Sequence, residues 1–236
     1  MTTIADNLQR VRERIAAACG AAGRDVTEVT LLAVSKTFGP EAVRAAHAAG
    51  QAAFGENYIQ EAVEKMALLA DLPLEWHCIG PVQSNKTRLV ATHFDWVHTL
   101  DRLKIGERLS QQRPADRGPL DACIQVNIDR GPTKSGVAPG DVLPLARELA
   151  QLPNLRLRGL MTIPEPNPDP AAQRDVHQRA RTLFEQLRDA GLALDTLSMG
   201  MTADLESAIA AGSTLVRVGT AIFGGRATIS SAASSA

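Results

Sequence analysis

Apolar positions along this chain fall into two alternating kinds of segment. The first is helical: Ile4, Leu8, Val11, Ile15 and Ala18 recur at three- and four-residue spacing. That spacing predicts an amphipathic helix over residues 4–22, which Gly20 and Gly23 help to end. Beyond it, short apolar and partly β-branched runs alternate with helical stretches. Strands are predicted at 29–35, 52–54, 75–79, 95–99, 121–128, 155–163, 195–199 and 214–218. Helices are predicted at 40–49, 58–70, about 85–92, 101–112, a stretch ending near 151, 171–190, 203–211 and a last turn from 220. Pro40 stands in a first turn, where its missing N–H is no loss, and Asp101 is positioned to cap the helix it opens. Residues 164–170 contain four prolines and read as an extended loop.

Eight strand–helix units after one leading helix argue for a parallel sheet of the α/β class. In 236 residues they favour a single closed (β/α)8 TIM-like barrel. An open sheet of six or seven strands is the alternative, because 52–54 and 95–99 are short. One domain is expected over 1–226. The Ala/Ser-rich tail, 227–236, is expected to be disordered.

Composition narrows the function. With 25 basic and 26 acidic residues the net charge is −1, so no basic surface argues for nucleic acid or an anionic membrane. Aromatic residues are only 3%, which weakens any stacking platform for single strands. Cys19, Cys78 and Cys123 form no CxxC pair, and their odd count reads as thiols in a reducing compartment with no zinc site. The first residues carry charges where a signal peptide needs an apolar core, and no apolar run reaches membrane-spanning length. The expectation is a soluble, cytoplasmic protein.

In a barrel, residues just after each strand converge on one mouth. The first strand delivers Lys36 there. A desolvated lysine can lose its proton and attack an aldehyde as a free amine. The last two units offer Gly200, Thr202, Gly219 and Thr220, whose amides and hydroxyls suit a phosphate. They read equally as ordinary loops. A lysine opposite a phosphate cradle is what pyridoxal phosphate requires. Arg217 lies inside an apolar strand, where burial is costly unless it meets an anion or acceptor, and the ring nitrogen of pyridoxal phosphate is one. His77, within the third strand, reads as a hydrogen-bonded core histidine. Asn57 and Tyr58 read as a turn residue and a rim aromatic. Lys134 reads as a solvated loop residue or an anion contact.

The stretches LLAVSKT (31–37), FGENYIQE (54–61), EWHCIGPVQSNK (75–86), LRGLMTIP (157–164), LSMGM (197–201) and AGSTLVRVGTAIFG (211–224) carry a resemblance over residues 5–226. With them the chain resembles the YggS/PROSC family, the pyridoxal phosphate homeostasis proteins. The resemblance implies a TIM-like barrel similar to the N-terminal domain of alanine racemases, of fold type III. It implies pyridoxal 5′-phosphate held as a Schiff base on Lys36, Asn57 beside the cofactor and Arg217 facing the pyridine nitrogen. It also implies a phosphate held by Thr202, Gly219 and Thr220, and matches Lys134 to a secondary acceptor. The chain departs from the pattern at Thr202, where many relatives carry serine, and at Ala203, which lacks an acidic group some relatives have.

On this reading the protein is a non-catalytic carrier and buffer of pyridoxal phosphate, passing it to apo-enzymes, and a monomer. Alanine racemases take a second base from a β-domain that has no counterpart here. A weak amino acid racemase or other enzyme using the same cofactor is the alternative. An unrelated barrel enzyme forming an imine with a sugar phosphate is the third.

Overall fold

The computed structural model describes residues 2–129 and 135–224, and its eight parallel strands close into a barrel in chain order. The strands are β1 (Thr30–Val34), β2 (Ala53–Glu56), β3 (Glu75–Cys78), β4 (Trp96–Leu100), β5 (Leu120–Val126), β6 (Leu155–Thr162), β7 (Thr196–Ser198) and β8 (Leu215–Val218). The helices are α1 (Ile4–Ala21), α2 (Pro40–Ala48), α3 (Ile59–Ala67), α4 (Thr87–His93), α5 (Leu103–Gln112), α6 (Val142–Leu149), α7 (Pro170–Asp189), α8 (Leu205–Ala210) and α9 (Thr220–Phe223). Pairing of β1 with β8, from Thr30↔Leu215 to Ala33↔Val218, closes the cylinder and excludes the open sheet.

The leading helix starts where Thr3 and Asp6 form a capping box, each side chain taking the other's backbone N–H. Its apolar stripe, Leu8, Val11 and Ile15, is buried in the layer between helices and barrel. One expectation is corrected. Asp101 does not cap α5; Arg102 occupies that position without a side-chain cap, and the Asp101 carboxylate lies 3.6 Å from the Arg102 guanidinium instead. The predicted disordered tail and Lys134 lie outside the described residues.

Strand alternation sorts the residues into two environments. Outward residues such as Ala33, Phe54, Cys78, Val97, Leu197 and Val216 join the large core beneath the helices. Two smaller apolar clusters sit apart from it: Leu32, Val34, Ile79 and Leu215, and Trp96, Cys123 and Met161. Beside them run buried polar residues, among them His77, His98, Ser198 and Arg217. A barrel interior is usually filled by branched apolar side chains, so this polar seam calls for a reason.

Candidate functional site

Lys36 follows β1 in a tight turn, with the Phe38 N–H on the Ser35 carbonyl at 3.1 Å. Thr37, next to it, has φ of +67°, a left-handed conformation that is unfavourable for a β-branched residue. Behind the turn is a buried ionic cluster. Glu56, at the end of β2, accepts from the Lys65 ammonium of α3 and from the Ser35 hydroxyl, each at 2.6 Å; the ammonium also donates to the Ser35 carbonyl at 2.9 Å. Glu56 and Lys65 are both buried. A buried ion pair of this kind is stable only when its remaining hydrogen bonds are made. Here they pin the peptide that carries Lys36.

Asn57 is set by backbone packing. A Cβ added at Gly80 would lie 2.1 Å from the Asn57 carbonyl oxygen, so only glycine permits the approach. The Gly80 carbonyl is itself held by the Thr99 hydroxyl at 2.7 Å. Asn57 Oδ1 is buried and has no hydrogen-bond partner among the described residues. A buried acceptor left this way points to a ligand donor, since the deficit costs on the order of 1–3 kcal/mol.

The loop after β7 turns at Gly200, where φ is +94° and an added Cβ would meet Ala208 Cβ at 2.5 Å. Asp204 ties the loop together. One carboxylate oxygen accepts the Met201 N–H at 2.6 Å and the other lies 3.0 Å from His177 Nε2. Burial raises the Asp204 pKa, but the bonds to His177 and Met201 outweigh it and hold the carboxyl below its ordinary value. The Arg14 guanidinium reaches across from α1 to the Thr202 carbonyl at 2.9 Å.

Arg217 on β8 is 4% exposed. It donates to the Ser198 carbonyl and hydroxyl, both at 2.7 Å, and to the Thr162 carbonyl at 2.8 Å. Among the described residues no carboxylate forms an ion pair with it. Burial lowers its pKa to about 10, so the guanidinium still carries its proton at neutral pH.

Lys36, Asn57, Thr202, Arg217, Gly219 and Thr220 line one cavity of about 390 Å³, closed on its apolar side by Val34, Phe38, Ile79 and Ile163. That volume is within the usual range of small-ligand sites. Thr220 and Ala221 open α9, where the first N–H groups have no partner inside the helix. His77 is buried and hydrogen-bonded, as expected, and is not among the lining residues. Lys86 reaches Gln60 at 3.4 Å and Tyr58, 49% exposed, stands at the start of α3; neither lines the cavity. Sequence reasoning missed Lys65, His98 and Ser198. Nothing in the chain marks them, because each takes its meaning from a partner on another strand or helix.

The eight-stranded parallel barrel defines the class: the fold is that of alanine racemase N-terminal domains. The family profile for the alanine racemase N-terminal domain matches residues 3–227. The pyridoxal phosphate homeostasis protein of Pseudomonas aeruginosa is 60% identical over 96% of this chain and 97% of its own length. That of Escherichia coli K12 is 52% identical over 96% and 98%. Among solved structures, PipY of Synechococcus elongatus, with pyridoxal phosphate bound, superposes with a TM-score of 0.83 at 38% identity, covering 94% of this chain and 100% of PipY. Alanine racemase of Clostridium difficile shares the fold at a TM-score of 0.71 and 11% identity, over 57% of its length. The chain belongs to the pyridoxal phosphate homeostasis protein family.

Proposed function

We propose that this protein binds pyridoxal 5′-phosphate reversibly as a Schiff base on Lys36 and acts as a carrier and buffer of the cofactor. The observation that carries the reading is the pairing, across one cavity, of Lys36 with a buried Arg217 whose partners are all neutral. Condensation joins the lysine nitrogen to the aldehyde carbon with loss of water, and hydrolysis reverses it. Arg217, a donor only, suits the pyridine nitrogen as an acceptor. Asn57 Oδ1 offers the unused acceptor for a ring hydroxyl. Thr202, Gly219 and Thr220 supply hydroxyl and amide donors for the phosphate. Its relatives' names support the same ligand.

Two features support holding over turnover. A cationic guanidinium at the pyridine nitrogen disfavours ring protonation and so weakens the ring as an electron sink. Lys36 and Arg217 are also the only ionisable groups among the described lining residues, whereas racemisation uses a base on each face of the reacting carbon. The cargo passes to apo-enzymes in the cytoplasm from a monomeric protein. No helix among the described residues is long and apolar enough to cross a membrane.

The test is the visible spectrum after pyridoxal phosphate addition and desalting, for wild type and Lys36→Ala. A yellow band retained by wild type, lost on substitution and fixed to Lys36 by borohydride and peptide mapping, is the expected result. No band in wild type refutes cofactor binding. Deuterium entering amino acid α-positions at the rate of cofactor exchange refutes the non-catalytic role.

A further inference from the structure

Arg217 is the upper end of a buried hydrogen-bonded chain that runs the length of the barrel. Its guanidinium meets the Ser198 hydroxyl at 2.7 Å, and that oxygen lies 3.0 Å from His98 Nδ1. His98 Nε2 is 2.9 Å from His77 Nδ1, and His77 Nε2 is 2.7 Å from a Glu75 carboxylate oxygen. Ser198, His98 and His77 are all 1% exposed or less, while Glu75, at the start of β3, is half-exposed. The His77 ring stacks on Trp96 at 5.2 Å and 7°, and Arg158 covers the Trp96 ring at 4.8 Å.

The two ends dictate the proton positions between them. A guanidinium only donates, so the Ser198 oxygen accepts from it and directs its own proton to His98 Nδ1. Burial holds His98 neutral, aided by the positive charge of Arg217. Its single proton therefore sits on Nε2 and is donated to His77 Nδ1. A carboxylate only accepts, so His77 donates from Nε2 to Glu75, whose pKa that bond lowers. With both rings neutral, every donor points from Arg217 towards Glu75 and each ring is the Nε2–H tautomer.

We propose that Ser198, His98, His77 and Glu75 are positioning residues that hold Arg217 in register with the ligand ring nitrogen, setting how tightly pyridoxal phosphate is retained. This role rests on the cofactor reading above. The Ser198 hydroxyl at the head of the chain takes one guanidinium N–H and, with the Ser198 and Thr162 carbonyls, fixes the plane of the fork. The remaining N–H groups are then pre-aimed into the site, where they lose no freedom on binding. It also accounts for two histidines in a layer where an apolar filling would be more stable.

The polarity of the chain gives a test that packing alone does not reproduce. In His98→Asn the amide oxygen takes the place of Nδ1 and still accepts from Ser198. In His98→Gln the amide reaches the Nε2 end and the serine loses its acceptor. Gln is nearer to His in size, so a packing role predicts the opposite order. Pyridoxal phosphate titration followed by the visible band is expected to show His98→Asn within about threefold of wild type. His98→Gln is expected to be weaker by about tenfold, the upper end of the scale for a neutral hydrogen bond. Ser198→Ala is expected to match His98→Gln and serves if the glutamine variant does not fold. Equal affinities for the folded variants, or the reverse order, overturn the proposal. Nitrogen-15 NMR of histidine-labelled protein without cofactor reads the tautomers directly: Nε2–H at both rings is expected, and Nδ1–H at His98 overturns the chain. Wild type that retains no cofactor while showing these tautomers refutes the cofactor reading, and this role with it, but leaves the hydrogen-bonded chain intact.

Discussion

Substitution of Lys65 by methionine tests the cluster behind Lys36. The change keeps the side chain's length and apolar body and removes one charge. It leaves Glu56, 1% exposed, with the Ser35 hydroxyl at 2.6 Å as its side-chain partner among the described residues, and it leaves the Ser35 carbonyl with the Phe38 N–H alone. Removing one partner of a buried pair costs about 3–5 kcal/mol, because the other charge stays desolvated. A chain of this size loses roughly 2–4 °C per kcal/mol, so thermal unfolding is expected to fall by about 6–20 °C. The pair Glu56→Leu with Lys65→Met removes both charges and is expected to recover most of that stability. The recovered protein is expected to hold pyridoxal phosphate more weakly than wild type, since the Ser35–Lys36 peptide then keeps only its turn bond to the Phe38 N–H and loses the one to Lys65. Differential scanning calorimetry gives the first quantity and titration of the visible band the second. A single substitution costing under about 1 kcal/mol, the range of an exposed pair, refutes the reasoning. So does a double variant as unstable as the single one.

Gly80→Ala is expected to destabilise the protein by about 1–3 kcal/mol and to weaken cofactor binding, because the new Cβ would sit 2.1 Å from the Asn57 carbonyl and must displace it; unchanged affinity in a folded variant would refute the placement of Asn57. Asp204 gives a pH dependence of definite sign. Its folded pKa lies below the ordinary value, so its contribution is complete above the unfolded value of about 3.9 and is lost as pH falls through the folded pKa. Asp204→Asn is therefore expected to flatten the acid limb of stability against pH, measured by urea midpoints, and an unaltered limb counts against the loop's dependence on His177 and Met201.

The barrel was legible because each strand and helix declares itself locally. Apolar runs of strand length, helical periodicity and closing glycines recur eight times, and a chain of this length has few other ways to bury them. Lys36 was legible as the residue after a strand, and Arg217 as a charge inside an apolar one. Strand ends were less so. β2 runs through Gly55 to Glu56, two residues that disfavour strands, because Lys65 and Ser35 compensate the buried carboxylate from other elements. Asp101 looked like a cap, but cap geometry depends on how the chain leaves β4, which no local pattern records. His77 read correctly as a satisfied histidine, yet its partner His98 stands 21 residues away on the next strand.

Sequence alone determined the order of elements and their strand–helix alternation, and offered Lys36 and Arg217 among the candidates for the mouth, since these follow from periodicity and chain order; closure into a barrel waited on the pairing of β1 with β8. Tertiary structure decided what surrounds those side chains: the ion pair behind Lys36, the orphaned oxygen of Asn57 and the directed chain below Arg217. Hydrogen bonds and burial join residues far apart in sequence, and their energy exists only once closure of the barrel has removed the water between them.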